Sequence, residues 1–305
     1  MTDIRNRRRT LGLTLVGALL GSTLLVSTVA GEEPRRRILV TNDDGVSSTA
    51  LAALVTHLTN TADVIVVAPA ENQSFAGRAK TIPSGQLRVR EVAIPGASAA
   101  YAIEGTPVDA VHFGIAAFGA EQPFDAVVAG INQGTALGYE ATSIGVVGAA
   151  LEAAALGLPA IAVTQDRRAH VFDVAANLTL ELLESWLGKG LPDGVALSIN
   201  VPGSAADRPR GVVVARLGQP EYAVGGFRKV ETGGEGQPSS TTAEQLWRIQ
   251  WSKVRRPERE TDLDWYQRGE ITITPLRWDS TATDALPALG EWQIQAPART
   301  AQSDQ

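Results

Sequence analysis

The sequence predicts an α/β protein with a doubly wound, mostly parallel sheet. Three observations predict this class: the chain contains short apolar runs, these runs do not alternate with polar residues, and helical patterns separate them. Uninterrupted apolar runs are typical of strands buried on both faces, as in parallel sheets with helices on either side. The predicted order is therefore strand, helix, strand, repeated along the chain.

The first repeat begins near residue 37. An apolar run at 37–40 precedes a helical spacing of leucine and valine at 51–58, and a second apolar run follows at 64–69. A strand, a helix and a second strand form a βαβ unit. Further apolar runs at 126–130 and 159–163 extend the pattern.

Helix candidates at 105–118 and 143–157 lie between the later runs. In sheets of this class, ligands bind beyond the carboxyl ends of the strands. We therefore expect loops 41–48, 69–78 and 130–146 to converge on one site. Each of these loops carries polar residues and glycine.

The C-terminal part has a different composition. From about residue 218 to 260, glycine pairs, a Ser/Thr cluster and an alternating segment predict a projecting C-terminal β-arm. Such an arm could pack on a second subunit or remain a surface hairpin. A strand at 269–276 returns to the main domain, which we place at 36–290, and residues 291–305 form a tail.

The amino terminus resembles an export signal. Four arginines lie within residues 5–9, an uncharged stretch covers 11–30, and a polar segment follows. Residues 1–30 are therefore a signal peptide, cleaved after Ala30, or an N-terminal membrane anchor. We expect an exported protein, periplasmic or extracellular, with membrane association only if the segment is uncleaved.

Composition limits the classes of function. The 305 residues are 44% hydrophobic, which favours one large domain, and the absence of cysteine excludes disulfides. Residues 1–30 carry four arginines and one aspartate, so their removal changes the formal charge from −6 to −9. An acidic chain without a basic block argues against a nucleic acid polymer as ligand.

Two adjacent carboxylates, Asp43 and Asp44, follow the first predicted strand. Neighbouring acids repel each other unless a cation or hydrogen-bond donors compensate, and a hard divalent ion is the simplest compensation. Alternatively, one of them caps the following helix. The next two loops add the hydroxyl of Ser74 and the amide of Asn132, which are oxygen ligands suited to magnesium or manganese.

Together these residues resemble the SurE survival-protein family of nucleotidases. The matching blocks run in the family's order from about residue 37 to 276, and jointly they are highly specific. They are Ile38-Leu39-Val40-Thr41-Asn42-Asp43-Asp44-Gly45, Val67-Ala68-Pro69 with Asn72 and Ser74, Gly105-Thr106-Pro107-Val108-Asp109-Ala110-Val111-His112, Gly130-Ile131-Asn132, Gly157-Leu158-Pro159-Ala160-Ile161-Ala162, Asn200-Val201-Pro202, Thr261-Asp262 and Ile273-Thr274-Pro275-Leu276.

The resemblance implies a Rossmann-like core with a dimerisation arm, in a homodimer or tetramer. It also implies a phosphatase that uses one divalent ion, Mg²⁺ or Mn²⁺, to hydrolyse nucleoside monophosphates and sometimes other phosphomonoesters. By the matching positions, the metal ligands are Asp43, Asp44, Ser74 and Asn132, and Asp43 or Asp44 accepts the proton of the attacking water.

We also expect four residues near the ligands to contact phosphate or substrate. Asn42 and Gly45 flank the carboxylate pair, Gly134 follows Asn132, and Gly145 opens a helix. A helix amino terminus offers backbone N–H groups to phosphate. Substrate binding is therefore assigned to Asn42, Gly45, Gly134 and Gly145.

The chain departs from the family between residues 135 and 147. The family's phosphate loop usually reads Ser-Gly-Thr-Val, whereas this chain has Ile144 and Val146 at the two hydroxyl positions. Two alternatives therefore stay open: a SurE-like protein that binds metal or ligand without hydrolysis, and an acid phosphatase of broader substrate range. A dinucleotide-binding oxidoreductase is disfavoured because the first loop lacks Gly-x-Gly-x-x-Gly.

The three histidines show no pattern of a metal cluster. His57 falls in the first predicted helix, His112 in the second, and His170 in a loop. Isolated histidines lack the partner geometry of a site. We predict structural roles for all three.

Overall fold

A nine-stranded sheet is the centre of the computed structural model, which describes residues 35–81, 85–169, 172–203, 209–230 and 245–292. Its strands, in chain order, are β1 (Arg36–Thr41), β2 (Ala62–Pro69), β3 (Val89–Glu91), β4 (Ala99–Ile103), β5 (Ala126–Gln133), β6 (Ala160–Gln165), β7 (Val195–Val201), β8 (Val212–Val214) and, after two strands of a separate sheet, β11 (Ile271–Arg277).

The order across the sheet is β3-β4-β2-β1-β5-β6-β7-β11-β8. Only the pairs β3/β4 and β7/β11 are antiparallel among these strands, and every other neighbouring pair is parallel. The chain starts in the middle at β1 and winds outward in both directions. The predicted fold class, a doubly wound and mostly parallel sheet, is confirmed.

Helices cover both faces of the sheet. They are α1 (Thr49–Leu58), α2 (Pro107–Phe118), α3 (Gly145–Ala155), α4 (Asp173–Lys189), α5 (Asp262–Gln267) and α6 (Leu286–Gly290), and a 3-10 helix covers Gly138–Ser143. The helices α1 and α4 pack on one face, and α2 and α3 pack on the other.

Strand β1 shows why the apolar runs are uninterrupted. Ile38 and Val40 belong to the core beneath α1 and α4, whereas Leu39 belongs to the core beneath α2 and α3. All three side chains are fully buried. A strand with helices on both sides has no solvent-facing residue, so its sequence cannot alternate.

Side-chain capping fixes the starts of α1 and α2. The side chain of Thr106 accepts a hydrogen bond from the backbone N–H of Asp109, and the Asp109 carboxylate accepts one from the N–H of Thr106. This reciprocal pair satisfies two backbone donors and fixes the start of α2, so the helix begins two residues after the predicted 105. At the start of α1, the Ser48 side chain accepts a single hydrogen bond from the N–H of Leu51.

The arm consists of β9 (Tyr222–Val230) and β10 (Leu246–Lys253), which pair antiparallel in their own two-stranded sheet. Both strands fall within the predicted 218–260, and residues 231–244, which make up most of the connection between them, lie outside the described part. Large apolar side chains of the arm are exposed, including Phe227, Trp247 and Trp251.

The predicted signal or anchor at 1–30 and the tail from 293 onward also lie outside the described residues. Within the described ranges, no helix combines the length and apolar content that crossing a membrane requires.

The loop after β2 is held against α3 by a contact between two glycines. A Cβ atom added at Gly148 would lie 1.9 Å from the carbonyl oxygen of Gly77. The neighbouring residues Arg78 and Lys80 form ion pairs with the buried Glu152 of α3 at 2.8 and 2.6 Å. These contacts fix the loop that carries Ser74.

We expect Gly148→Ala to destabilise the protein by about 1–3 kcal/mol, because the new methyl group would displace backbone rather than a flexible side chain. Gly188→Ala in α4 is the matched control, since among the described residues no atom beyond its chain neighbours and its own helix backbone lies within 4 Å of its Cβ position. The control should gain about 0.5–1 kcal/mol from helix propensity. Urea unfolding followed by circular dichroism measures both, and equal stability of the two variants would contradict the contact.

Candidate active site

A cleft of about 790 Å³ lies beyond the carboxyl ends of the central strands. It receives residues from the loops after β1, β2, β5 and β6, and from the base of the arm. The three predicted loops therefore do meet. The lining residues are Asp43, Asp44, Asn72, Ser74, Phe75, Asn132, Gln133, Gly134, Thr135, Ile144, Asp166, Arg167, Arg168, Glu221, Tyr222 and Lys253.

Asp43 is fully buried at the end of β1. Its Oδ2 atom accepts a hydrogen bond from the N–H of Val146 at 3.3 Å, whereas its Oδ1 atom has no hydrogen-bond partner within the described ranges. A buried carboxylate oxygen without a donor is costly unless a cation binds it. Asp43 thus provides one open ligand position.

Burial and the neighbouring charge of Asp44 raise the pKa of Asp43 to about 7. Hydrogen bonds from the N–H groups of Val146 and Gly145 act in the opposite direction but are too weak to cancel the rise. Without a cation, Asp43 therefore keeps its proton well above the usual range for aspartate. A divalent ion would favour the ionised form.

Asp44 is half-buried and is oriented by two donors. The N–H of Gln133 donates to Oδ2 at 3.0 Å, and the side-chain amide of Asn72 donates to Oδ1 at 3.3 Å. These bonds connect the loops after β1, β2 and β5. The carboxylate is therefore held at the point where the three loops meet.

Ser74 and Asn132 supply the other oxygen atoms. The N–H of Ser74, in the loop after β2, donates to the Oδ1 atom of Asn72 at 3.0 Å, and Asn72 in turn donates to Asp44. Asn132 is buried and uses its amide nitrogen toward Thr164 Oγ1 at 3.5 Å. Its amide oxygen is the atom that could ligate a cation.

The oxygen atoms of these four side chains fit a hard divalent cation. The described residues contain no cluster of three or more His, Cys, Asp or Glu side chains, so a cation here would depend on two carboxylates together with hydroxyl and amide oxygens. Magnesium and manganese prefer oxygen ligands of this kind. The unpartnered Asp43 oxygen is consistent with that fit.

Three residues predicted to contact substrate lie outside the cleft lining. The amide of Asn42 donates to the carbonyl oxygen of Gly45 at 2.9 Å, which closes the turn after β1, and Gly45 needs its φ of 101° for that turn. At Gly145, a Cβ atom would lie 2.7 Å from the Cβ of Asp43. These residues shape the carboxylate pair, and of the four only Gly134 lines the cleft.

The departure at Ile144 and Val146 has a visible consequence. Ile144 is the N-cap residue of α3, has no side-chain capping bond, and lies in the cleft lining. Val146 is fully buried. Since the N–H of Val146 points to Asp43, the amino terminus of α3 stabilises the carboxylate pair.

Sequence reasoning missed the charged residues on the far side of the cleft. Asp166, Arg167 and Arg168 follow β6, and the rule that located the other loops could have found them. The guanidinium of Arg168 donates two hydrogen bonds to Asp166, of 2.9 and 2.5 Å, and its backbone N–H donates a third at 2.9 Å. Arg167 is exposed and forms no ion pair within the described ranges.

The base of the arm contributes Glu221, Tyr222 and Lys253. The ammonium group of Lys253 lies 3.2 Å from the Glu221 carboxylate and 5.6 Å from the centre of the Tyr222 ring. No local pattern in the sequence indicates that these residues reach the cleft. They lie together because Tyr222 at the start of β9 pairs with Lys253 at the end of β10, and this end of the arm lines the cleft.

Two of the three histidines make contacts remote from the cleft. His57 lies 3.4 Å from Asp173, and His112 lies 2.9 Å from Glu152. Neither belongs to the cleft lining. His170 lies outside the described residues.

Comparison with known proteins gives consistent results. Residues 38–224 match the family model described as "Survival protein SurE". The chain is 36% identical over 261 residues to "5'-nucleotidase SurE" of Geobacter sulfurreducens, covering 85% of this chain and 94% of the relative. It is 37% identical over 257 residues to "5'-nucleotidase SurE 1" of Thermus thermophilus, covering 83% and 96%.

A solved structure, the SurE protein of Aquifex aeolicus, superposes with a TM-score of 0.71 at 28% identity. The match covers 84% of this chain and 98% of the Aquifex chain. The similarity therefore extends over nearly the whole length of both the curated relatives and the solved structure.

The raised pKa of Asp43 predicts that the stability of the metal-free protein depends on pH. Between pH 4 and 7 the folded protein retains a proton that the unfolded chain has released, so the free energy of unfolding falls as pH rises. The loss approaches the order of 4 kcal/mol above pH 7. Asp43→Asn should lack this slope. Urea unfolding with chelator at several pH values measures the difference, and parallel curves for both proteins would contradict the burial of a charge at Asp43.

Proposed function

Because this chain belongs to the SurE family of survival proteins, we propose that it is a divalent-metal-dependent 5'-nucleotidase that releases phosphate from nucleoside monophosphates. The observation that carries the proposal is the buried Asp43 beside Asp44 in an open cleft, since its Oδ1 atom has no hydrogen-bond partner in the part of the chain that the structure describes. Mg²⁺ or Mn²⁺ suits these oxygen donors.

The charges in the cleft support the need for a metal. The lining contains four carboxylates, Asp43, Asp44, Asp166 and Glu221, and three basic side chains, Arg167, Arg168 and Lys253. Two of the basic groups are already paired, with Asp166 and Glu221. When Asp43 is ionised as well, these groups sum to one net negative charge, which opposes the entry of a phosphate dianion. One divalent ion reverses that balance.

The residues Asp43, Asp44, Ser74 and Asn132 would hold the ion. When bound, it supplies the positive charge that polarises a phosphoryl oxygen and offsets the charge of the transition state. Asn72 and Gln133 keep Asp44 in one orientation through their hydrogen bonds. The proton of the attacking water passes to a carboxylate of the pair.

Arg167 is placed to attract the substrate. It is exposed at the cleft and, among the described residues, has no acidic partner to neutralise it. A free guanidinium can donate two hydrogen bonds to a phosphate. We therefore assign it to the phosphoryl group or to the released product.

The test of the proposal is phosphate release from nucleoside 5'-monophosphates with Mg²⁺, with Mn²⁺ and with chelator. We expect release only with a divalent ion, and Asp44→Asn should reduce kcat by about 100-fold or more because it removes one charge from the metal site. Asp284→Asn, in an exposed segment away from the cleft, should keep full activity.

Activity that persists in chelator, or in Asp44→Asn, would contradict the metal site. A folded protein that binds Mn²⁺ but hydrolyses no phosphate ester would instead identify a member of the family that binds ligand without hydrolysis. Circular dichroism and the thermal midpoint, measured for each variant, separate loss of chemistry from loss of fold.

Ile144 provides a second test of how phosphate is held. Ile144→Ser places a hydroxyl donor in the cleft at the amino terminus of α3, and one hydrogen bond to a charged group is worth about 1.5–3 kcal/mol. We expect kcat/KM to rise about tenfold. Ile144→Val, which keeps an apolar side chain, is the matched control. Equal kcat/KM in both variants would show that this position does not contact the phosphoryl group.

A further inference from the structure

Phe75 combines two features that the fold does not explain. Its backbone φ is 65°, in the left-handed region that favours glycine, and its side chain is 76% exposed. A bulky residue in this region is strained, and an exposed ring gains little from packing. Neither backbone geometry nor the core therefore accounts for a phenylalanine here.

Phe75 lies next to the residues that we propose to hold the metal. It follows Ser74 directly, and both residues line the cleft that contains Asp43 and Asp44. The loop is fixed on either side: the N–H of Ser74 binds Asn72, and Gly77 packs against Gly148. The exposed ring is thus presented from a held loop beside the phosphoryl site.

A second exposed ring lines the same cleft. Tyr222, at the start of β9, is 45% exposed. Most of the other lining residues are charged or polar, and the remaining large apolar side chain, Ile144, is buried. The cleft therefore offers ions and aromatic surface together, and a nucleotide presents both a phosphate and a flat base.

We propose that Phe75 is a specificity-determining residue that stacks on the nucleobase of the substrate. The inference rests on the proposed nucleotidase function. A phenyl ring offers no hydrogen bonds, so it recognises the flat face that all bases share. Phe75 then distinguishes nucleotides from phosphate esters without a base, favours purines for their larger face, and leaves the chemical step unchanged.

The test compares two substrates in three variants. For Phe75→Gly we expect the KM for 5'-AMP to rise about tenfold, which is within the range that loss of one base–aromatic stack produces. The kcat for 5'-AMP and both constants for ribose 5-phosphate should stay unchanged. Glycine suits the positive φ, so this variant should fold at least as well as the parent chain.

Phe75→Trp should keep the low KM for 5'-AMP. Trp292→Ala removes an exposed ring outside the cleft, and KM and kcat for both substrates should stay unchanged. An unchanged KM for 5'-AMP in Phe75→Gly would overturn the proposal. So would an equal rise for 5'-AMP and ribose 5-phosphate, because that result would show a disturbed loop rather than a lost base contact.

Calorimetric binding of adenosine separates this proposal from the proposed function, since adenosine carries no phosphate and is not hydrolysed. Weaker adenosine binding by Phe75→Gly than by the parent chain supports the base contact even if no ester is cleaved. Equal adenosine binding by both proteins overturns it even if the chain proves to be an active nucleotidase. If Phe75 instead serves contact between copies of the chain, sedimentation of Phe75→Gly changes while adenosine binding does not, which also overturns the proposal.

Discussion

Two neighbouring carboxylates at the end of β1 impose the constraint on which the rest of the site depends. Asp43 is fully buried, so its charge needs compensation that water cannot give. The amino terminus of α3 supplies part of it through the N–H of Val146, and the absence of a side chain at Gly145 allows the helix to approach. Among the described residues, these contacts leave Asp43 Oδ1 without a hydrogen-bond partner, which is an open position that fits a cation.

Residues outside the cleft hold the loops that line it in place. Burial alone would raise the pKa of Glu152, but hydrogen bonds from Arg78, Lys80 and His112 lower it to about 2, so the buried carboxylate stays charged and holds the loop of Ser74. The Asn200 side chain accepts a hydrogen bond from the N–H of Ala136, in the loop after β5, and donates one to its carbonyl oxygen. Positioning residues of this kind fix the ligands without contacting substrate.

The sequence predicts the sheet well because helices on both faces leave apolar runs that only buried strands explain. It also predicts which loops meet, since the carboxyl ends of parallel strands share one edge. It does not show which way a side chain faces: the substrate contact at Asn42 stays a prediction, and the structure adds that its amide nitrogen donates to Gly45 and closes a turn. Tyr222 and Lys253 reach the cleft through the pairing of β9 with β10, which no local pattern encodes.

The absence of hydroxyl groups at Ile144 and Val146 changes which groups can bind the phosphate of the substrate. Because the N–H of Val146 is used on Asp43, the start of α3 has less to offer a phosphate than a helix terminus with free donors. In the proposed function, the cation and Arg167 therefore provide most of the affinity for the phosphoryl group. If the base stacks on the exposed ring of Phe75 as proposed, that contact offsets part of this loss from the other end of the substrate, and it then matters more in this chain than in one with a complete phosphate loop.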